Sequence, residues 1–277
     1  SAAGQYNYLQ GGNANLKPET SDSYTAGLVF TPTNNFSATL DVFKMKVADV
    51  IDVAPPTITL QKCIETGDPK FCSLITRDRL GTLWATPQAF IVGTNQNLGT
   101  RKTSGIDVGF NYTHKLNNYG MLAFNFLGTY LQEFRFEPIP GLGDYDCKGL
   151  YGPTCGTPLP EWRHKLRTTW STPWNFDVAL TWRHLDSVDL DQTSSNPQLT
   201  GGFQPADKTL GARDYLDLFG TWAMTKKLTL SGGINNLLDK DPPISGLVGA
   251  GFGNGNTYPQ VYDALGRRVF VNLTAKF

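Results

Sequence analysis

Residues 266–277 read GRRVFVNLTAKF. Val269, Val271, Leu273, Ala275 and Phe277 fall on one side of an extended chain. Arg268, Asn272, Thr274 and Lys276 fall on the other, and Phe270 alone breaks the rule. A period of two predicts a strand with one apolar and one polar face. A soluble protein usually lets its terminus fray into a polar tail. A chain that closes on a patterned strand and a bare phenylalanine asks what environment holds it.

The same alternation recurs upstream. Ile106, Val108, Phe110 and Tyr112 stand against Asp107, Asn111 and Thr113; Leu122, Phe124, Phe126 and Tyr130 stand against Ala123, Asn125 and Thr129. Trp162, Leu166 and Trp170 oppose Arg163, Lys165 and Arg167, and Phe176, Val178, Leu180 and Trp182 oppose Asp177 and Thr181. Further apolar sets are Tyr24/Ala26/Leu28/Phe30, Leu216/Leu218/Trp222/Met224 and Leu228/Leu230/Ile234. The strand opening at Phe36 changes phase near Phe43, as a β-bulge would make it. The pattern predicts about nine strands. Their connections alternate in length. TPTNN from Thr31, LNNYG from Leu116, TPWN from Thr172 and TK from Thr225 are tight turns, whereas residues 54–98, 135–160, 188–211 and 239–264 are long segments. Short turns at one end and long loops at the other are the hairpin signature of an outer-membrane barrel, and Trp162 and Trp170, at opposite ends of one strand, suit its aromatic girdles. Alternation alone is equally compatible with a soluble β-sandwich whose core the aromatics fill.

Composition agrees with an all-β chain. Of 277 residues 40% are hydrophobic and 12% aromatic, with Gly 29 and Pro 17, and the mean hydropathy is −0.28. No stretch approaches the ~20 continuous apolar residues of a spanning helix. A formal net charge of +0 argues against a nucleic-acid partner, since phosphate binding calls for a basic surplus. The sequence opens on Ser1 without an initiator Met or a signal segment, which predicts processing or excision from something longer. An odd number of strands puts the two ends on opposite sides, and an isolated sheet would leave open edges in lipid. The expectation is therefore the C-terminal part of a larger barrel, or closure with another polypeptide. Four cysteines form two close pairs, Cys63/Cys72 and Cys147/Cys155, each bracketing a short loop. This spacing favours two disulfide-closed loops over the rival zinc site, which has neither a CxxC spacing nor a nearby histidine.

Three stretches carry a resemblance. GNANLKPETSDSYTAGLVF from Gly12, GGINNLLDKDPP from Gly232 and YDALGRRVFVNLTAKF from Tyr262 together resemble the C-terminal third of TonB-dependent outer-membrane receptors. CIETGDPKFCSLITRD and NQNLGTRKTSGIDVGFNY are similar to a subgroup common in Caulobacter- and Xanthomonas-type bacteria. The resemblance implies that residues 1–277 are the C-terminal part of a 22-stranded antiparallel transmembrane barrel, with the plug domain and earlier strands upstream. It implies a bacterial outer-membrane location among lipid. It implies energised uptake of a small nutrient ligand (sugar, peptide or siderophore), coupled to the TonB–ExbB–ExbD complex through the plug. Phe277 would be the signal read by the barrel-assembly machinery, its strand pairing with the barrel's first strand. No cofactor is implied.

Catalytic patterns are not found: there is no GxSxG, HExxH or P-loop motif. His114, His164 and His184 fall on the apolar parity of three strands, and no carboxylate stands at a triad-like spacing. GAGFGNGN from Gly249 lies in a long loop without a following helix, so a flexible loop is favoured over a phosphate cradle. Candidate ligand contacts are Trp84, Asp144, Tyr145, Asp189, Arg213 and Tyr258, since aromatics beside carboxylates suit stacking on sugar rings or holding a peptide; solvated loop residues are the plainer reading. The run Arg163, Lys165, Arg167 suits either steering of anions or pairing with acidic neighbours. The alternatives to a receptor are a self-contained secreted β-sandwich that binds carbohydrate and a small outer-membrane barrel enzyme.

Overall fold

The computed structural model describes residues 6–53, 56–139, 143–248 and 255–277. Nine long strands alternate with the connections: β1 Thr20–Thr33, β2 Phe36–Asp52, β3 Gln96–Lys115, β4 Met121–Glu137, β5 Trp162–Ser171, β6 Phe176–Leu185, β7 Arg213–Ala223, β8 Leu228–Asn235 and β9 Arg268–Ala275. They lie side by side in sequence order from β1 to β9, and Tyr145–Asp146 adds a short strand on β4. β4 with β5, β5 with β6 and β8 with β9 pair antiparallel, with Leu166 opposite Phe126 and Trp182, and Gly233 opposite Phe270. The chain divides into two compact units. One takes in the residues up to Asp22, Met45–Lys102 and Arg135–Asp144; the other takes in Ser23–Lys44, Thr103–Phe134 and Tyr145–Phe277. All nine strands run through the second unit.

Its sheet has the two faces that the sequence pattern predicts. On the apolar face Phe110 stacks on Phe126 with ring centroids 5.1 Å apart, and Tyr112 on Phe124 at 6.0 Å. Much of this face is bare, on interior strands too: Leu180 is 41% exposed and Trp182 39%. Bare aliphatic side chains along a sheet indicate a surface that meets hydrocarbon rather than water or a second layer. At the turn end Trp170 meets Trp174 edge-on at 6.4 Å, and its indole N–H donates to the Tyr119 carbonyl. The polar face carries its own hydrogen bonds, Asn125 to Asn111 at 2.6 Å and Thr129 to Asp107 at 2.6 Å.

Two aromatic exceptions have a physical cause. Phe43 keeps the phase of Thr39 and Asp41: a Cβ on Gly105 would lie 2.6 Å from its ring and a Cβ on Gly109 2.8 Å from Thr39 Oγ1. The expected bulge at Phe43 is therefore not what breaks the pattern. The residue is an aromatic on the polar face that covers a glycine, and the positive φ in this strand is at Asp49. Phe270 does the same over Gly233 and stacks on Phe219 at 6.2 Å.

In the first unit the connection from β2 to β3 contains α1, Pro56–Thr66, and α2, Pro69–Cys72. Asp68 starts α2 by accepting from Lys70 N, with Pro69 in the first turn, a standard N-terminal signal. Cys63 is bonded to Cys72, and Phe71 and Ile139 form a small core with Ile58 and Leu98. Short strands Tyr8–Gly11, Ile75–Thr76 and Phe90–Thr94 make a three-stranded sheet. The Leu16–Glu19 motif is tied down here. Asn97 exchanges hydrogen bonds with Lys17 N and O, and Glu19 accepts from Ile51 N. Among the described residues no helix is long and apolar enough to cross a membrane.

Candidate ligand-binding loops and lumen face

In the second unit, three long connections fold together into one module. Leu150–Tyr151, Val188–Leu190 and Thr209–Leu210 form a small sheet. Its apolar side, with Tyr258 and Tyr262, makes a core of Tyr151, Val188, Leu190, Leu210, Tyr258 and Tyr262, packed further by Leu185, Val248 and Val261. Burial pushes the phenols of Tyr258 and Tyr262 up to about 12 and raises that of Tyr151, since a low-dielectric surrounding disfavours the phenolate. The Tyr151 hydroxyl donates to the Asp207 carbonyl, and Asp207 Oδ1 accepts from Gly246 N at 2.7 Å.

The loop 147–155 is closed twice. Cys147 is bonded to Cys155, and Gly152 and Gly156 exchange backbone hydrogen bonds of 3.0 and 2.8 Å. Asp191, fully buried, reaches in from the next connection, its Oδ2 accepting from Thr154 N at 2.8 Å and Cys155 N at 2.9 Å. Gly152 has φ +142°, and a Cβ there would lie 2.3 Å from Asp191 Oδ1, so the close approach of the carboxylate requires glycine. Beside the loop is a cleft of about 350 Å³ lined by Pro153, Thr157, Leu247, Tyr258 and Gln260 among others.

On the polar face of the sheet, Arg183 is the centre of a charged cluster. Its guanidinium meets Asp217 through Nε at 2.7 Å and Nη2 at 3.0 Å, and Asp263 through Nη1 at 3.0 Å and Nη2 at 2.5 Å. It also lies over the Tyr215 ring at 4.9 Å. Asp263 belongs to the last connection, so this pair of bidentate contacts holds that loop against β6. Arg167 lies over Phe219 at 5.7 Å. Arg163 and Lys165 line a cleft of about 340 Å³ with Leu127, Thr129, Leu185 and Val261. Among the described residues neither makes an ion pair.

The candidate contacts named from the sequence do not form one constellation. Trp84 lines a slot in the first unit. Asp144 pairs with Arg135 at 3.0 Å. Tyr145 sits in the short strand on β4. Asp189 accepts from Thr209 Oγ1 at 2.6 Å. Arg213 donates to the carbonyls of Gly211 and Ala212 beside it and to that of Asp241, which ties the start of β7 to the last connection. Tyr258 is buried in the tyrosine core while also edging the cleft. Phe277 is fully exposed and lies two residues beyond the end of β9. Of GAGFGNGN, only Gly255 and Asn256 lie within the described residues. His184, for which the sequence showed no carboxylate at a triad-like spacing, stands between Asp186 at 2.9 Å and Asp214 at 2.8 Å. Asp214 is reached by strand pairing, not by spacing. Asp191 and Asp263 were missed. Their partners lie 37 and 80 residues away, and no local signal marks them. All four cysteines are disulfide-bonded, which removes the zinc reading.

A sheet bare on its apolar face, polar on the other, with tight turns at one end and folded loops at the other, defines an outer-membrane β-barrel segment of receptor type. The family described as "TonB dependent receptor-like, beta-barrel" matches residues 1–237, and the chain belongs to it. Proteins of this family are outer-membrane receptors, and this chain is an outer-membrane β-barrel protein. No curated protein sequence matches it. Among solved structures, a variant of the ferric enterobactin receptor of Pseudomonas aeruginosa in complex with enterobactin is similar with TM-score 0.62 and 18% identity, over 98% of this chain and 33% of that one. The siderophore receptor PirA of Acinetobacter baumannii gives 0.60 and 14%, over 97% and 33%. The copper transporter OprC gives 0.53 and 16%, over 95% and 32%. The chain thus spans about a third of the length of these receptors.

Proposed function

We propose that residues 1–277 are the C-terminal part of the barrel of a TonB-dependent receptor that takes up a small ligand across the bacterial outer membrane. The long connections bind the ligand, and the polar face of the sheet lines the conduit. The observation that carries this reading is the folding of three long connections into one module with its own tyrosine core, above a sheet whose apolar face is bare. Loops that only joined strands would not need a core, a disulfide and a buried carboxylate to fix their shape; binding loops do. The plug and the earlier strands belong to the rest of the receptor, and energy arrives through the plug from TonB–ExbB–ExbD. The Phe277 end of the chain engages the assembly machinery, and β9 closes the barrel on its first strand. No chemical step is involved. The test expresses the full-length receptor in the outer membrane and follows uptake of labelled sugars, peptides and ferric chelates with and without TonB. Accumulation of one labelled class that disappears without TonB supports the reading. Extraction without detergent, or uptake indifferent to TonB, refutes it.

A further inference from the structure

In the first unit, Asn7, Tyr8, Leu9, Trp84, Thr86 and Phe90 line a concave slot of about 340 Å³, within the usual range for small-ligand sites of roughly 300–1,000 Å³. The segment that carries Trp84 is braced on both sides. Asp78 Oδ1 accepts from Leu80 N and Thr82 N, and its Oδ2 accepts from Thr82 Oγ1 at 2.5 Å. From the other side Asn7 Nδ2 donates to the carbonyls of Thr86 and Ala89, and Asn7 N donates to Leu83 O. Tyr8 is fixed because its ring lies against Gly93, where a Cβ would come within 1.7 Å of it. Trp84 itself remains 43% exposed on this rigid frame. An indole held open in a concave site, instead of folded into the adjacent core, is a stacking surface.

The lining also selects the chemistry of what stacks there. Among the described residues no charged side chain lines the slot, so an ionic ligand would be desolvated without a counter-charge. A wholly apolar ligand would bury the side-chain oxygen Oδ1 of Asn7, whose Nδ2 is already engaged with two backbone carbonyls, and leave it unsatisfied at a cost. A pyranose meets both conditions, since it has an apolar C–H face for an aromatic ring and hydroxyls at its edge for an amide oxygen and an indole N–H. We infer that this slot is a carbohydrate site, with a neutral sugar ring stacked on Trp84 and its hydroxyls on Asn7 Oδ1 and the Trp84 indole N–H.

The inference deepens the uptake reading and rests on it, because it assigns a ligand class to one of the receptor's loops. Its test needs no energised membrane. The full-length receptor is purified in detergent and titrated calorimetrically with maltose, sucrose, cellobiose and their longer oligomers, with a ferric catecholate chelate in parallel. One of the sugars binds. Trp84→Ala weakens that binding about tenfold or more, as loss of an aromatic stacking contact does, while Trp84→Phe, which keeps a ring, weakens it far less. Trp84 is half open, so both variants fold, and unchanged melting of the receptor verifies this. The inference is overturned if no sugar of the panel binds, if Trp84→Ala binds as tightly as the parent, or if the chelate alone depends on Trp84. Uptake indifferent to TonB, with sugar binding intact, would sink the transport reading and leave the slot standing.

Discussion

Replacing Asp191 by alanine tests whether a single carboxylate holds the module's disulfide loop in place. Its carboxylate is buried, and Oδ2 accepts from two backbone N–H groups, in a buried bond from Cys155 and a half-buried one from Thr154. Hydrogen bonds to a charged acceptor are worth about 1.5–3 kcal/mol each, and a buried donor left without a partner costs about 1–3 kcal/mol. Against this, Asp191 Oδ1 has no partner among the described residues, so removing the carboxylate also relieves some desolvation. The balance is a loss of about 3 kcal/mol, which raises the opening of this loop roughly 150-fold. Asp191→Asn keeps an acceptor oxygen for both N–H groups and should lose about half as much. The assay is amide hydrogen exchange on the full-length receptor in detergent, read on peptides covering 147–160. The Cys147–Cys155 bond closes a loop of sequence separation 8, worth about 2.6 kcal/mol on the chain-entropy estimate. It holds the loop ends whatever stands at 191, so fast exchange should concentrate at Thr154 and Cys155. If the alanine variant exchanges there within threefold of the parent, the carboxylate does not hold the loop.

Tyr258 and Tyr262, with phenols pushed up to about 12, support the folded module fully below pH ~10 and lose that support as pH rises toward 12; phenolate absorbance should show this late ionisation together with melting of the loops. Arg183→Met leaves Asp217 and Asp263 facing each other without their shared cation, a loss of about 3–5 kcal/mol. Trypsin should then cut the released connection at Lys240 and Arg267 at least tenfold faster, and unchanged cleavage would refute the clasp. The Thr82 hydroxyl, with the backbone behind it, holds the Asp78 carboxyl below the usual carboxylate value. Its support for the Trp84 segment is therefore present at neutral pH and lost as pH falls through that lowered value. The Trp84 fluorescence contribution, obtained by difference with Trp84→Phe, should change between pH 5 and pH 2 in the parent and stay flat in Asp78→Asn.

The strands were legible because two different solvents act on alternate residues of one sheet. Lipid and lumen impose a period of two on Phe124, Phe126, Asn125 and Thr129 alike, and the tight turns carry their own residue types. Phe43 and Phe270 misled for a reason that is also written in the chain. Each covers a glycine on the neighbouring strand, Gly105 and Gly233, and a glycine makes room for an aromatic on the polar face. That signal lies in the partner strand, so it becomes readable only once the register is known. The loops were the opposite case. Asp189 and Arg213 look like free charges, yet one accepts from Thr209 and the other clasps three carbonyls. Asp191 looks like one more loop acid and is the most buried of them. Nothing local distinguishes these residues, because each has at least one partner brought in by distant chain: Thr209 for Asp189, Asp241 for Arg213, and Thr154 and Cys155 for Asp191.

Rigid loops on this protein make physical sense under the proposed uptake of a small ligand. A flexible loop that orders only on binding loses affinity to the conformational entropy of about 1–2 kcal/mol per residue fixed. Here much of that ordering is complete before any ligand arrives. The loop 147–155 is held by a disulfide, a glycine pair and Asp191, the last connection by Arg183 through Asp263, and the Trp84 segment by Asp78 and Asn7. Each restraint uses a group that a solvent-exposed linker would have no reason to bury. Among the described residues, what these frames hold open includes the face of Trp84, the edge of the cleft beside Tyr258, and Arg163 and Lys165 on the polar face, which make no ion pair there. If the loops are ordered beforehand, Asp191→Ala and Arg183→Met lower the affinity only by the fraction of free receptor in which the loop has opened. If they ordered only on binding, the full loss of loop stability would appear in the equilibrium constant, so an affinity drop much smaller than the stability loss marks pre-organisation.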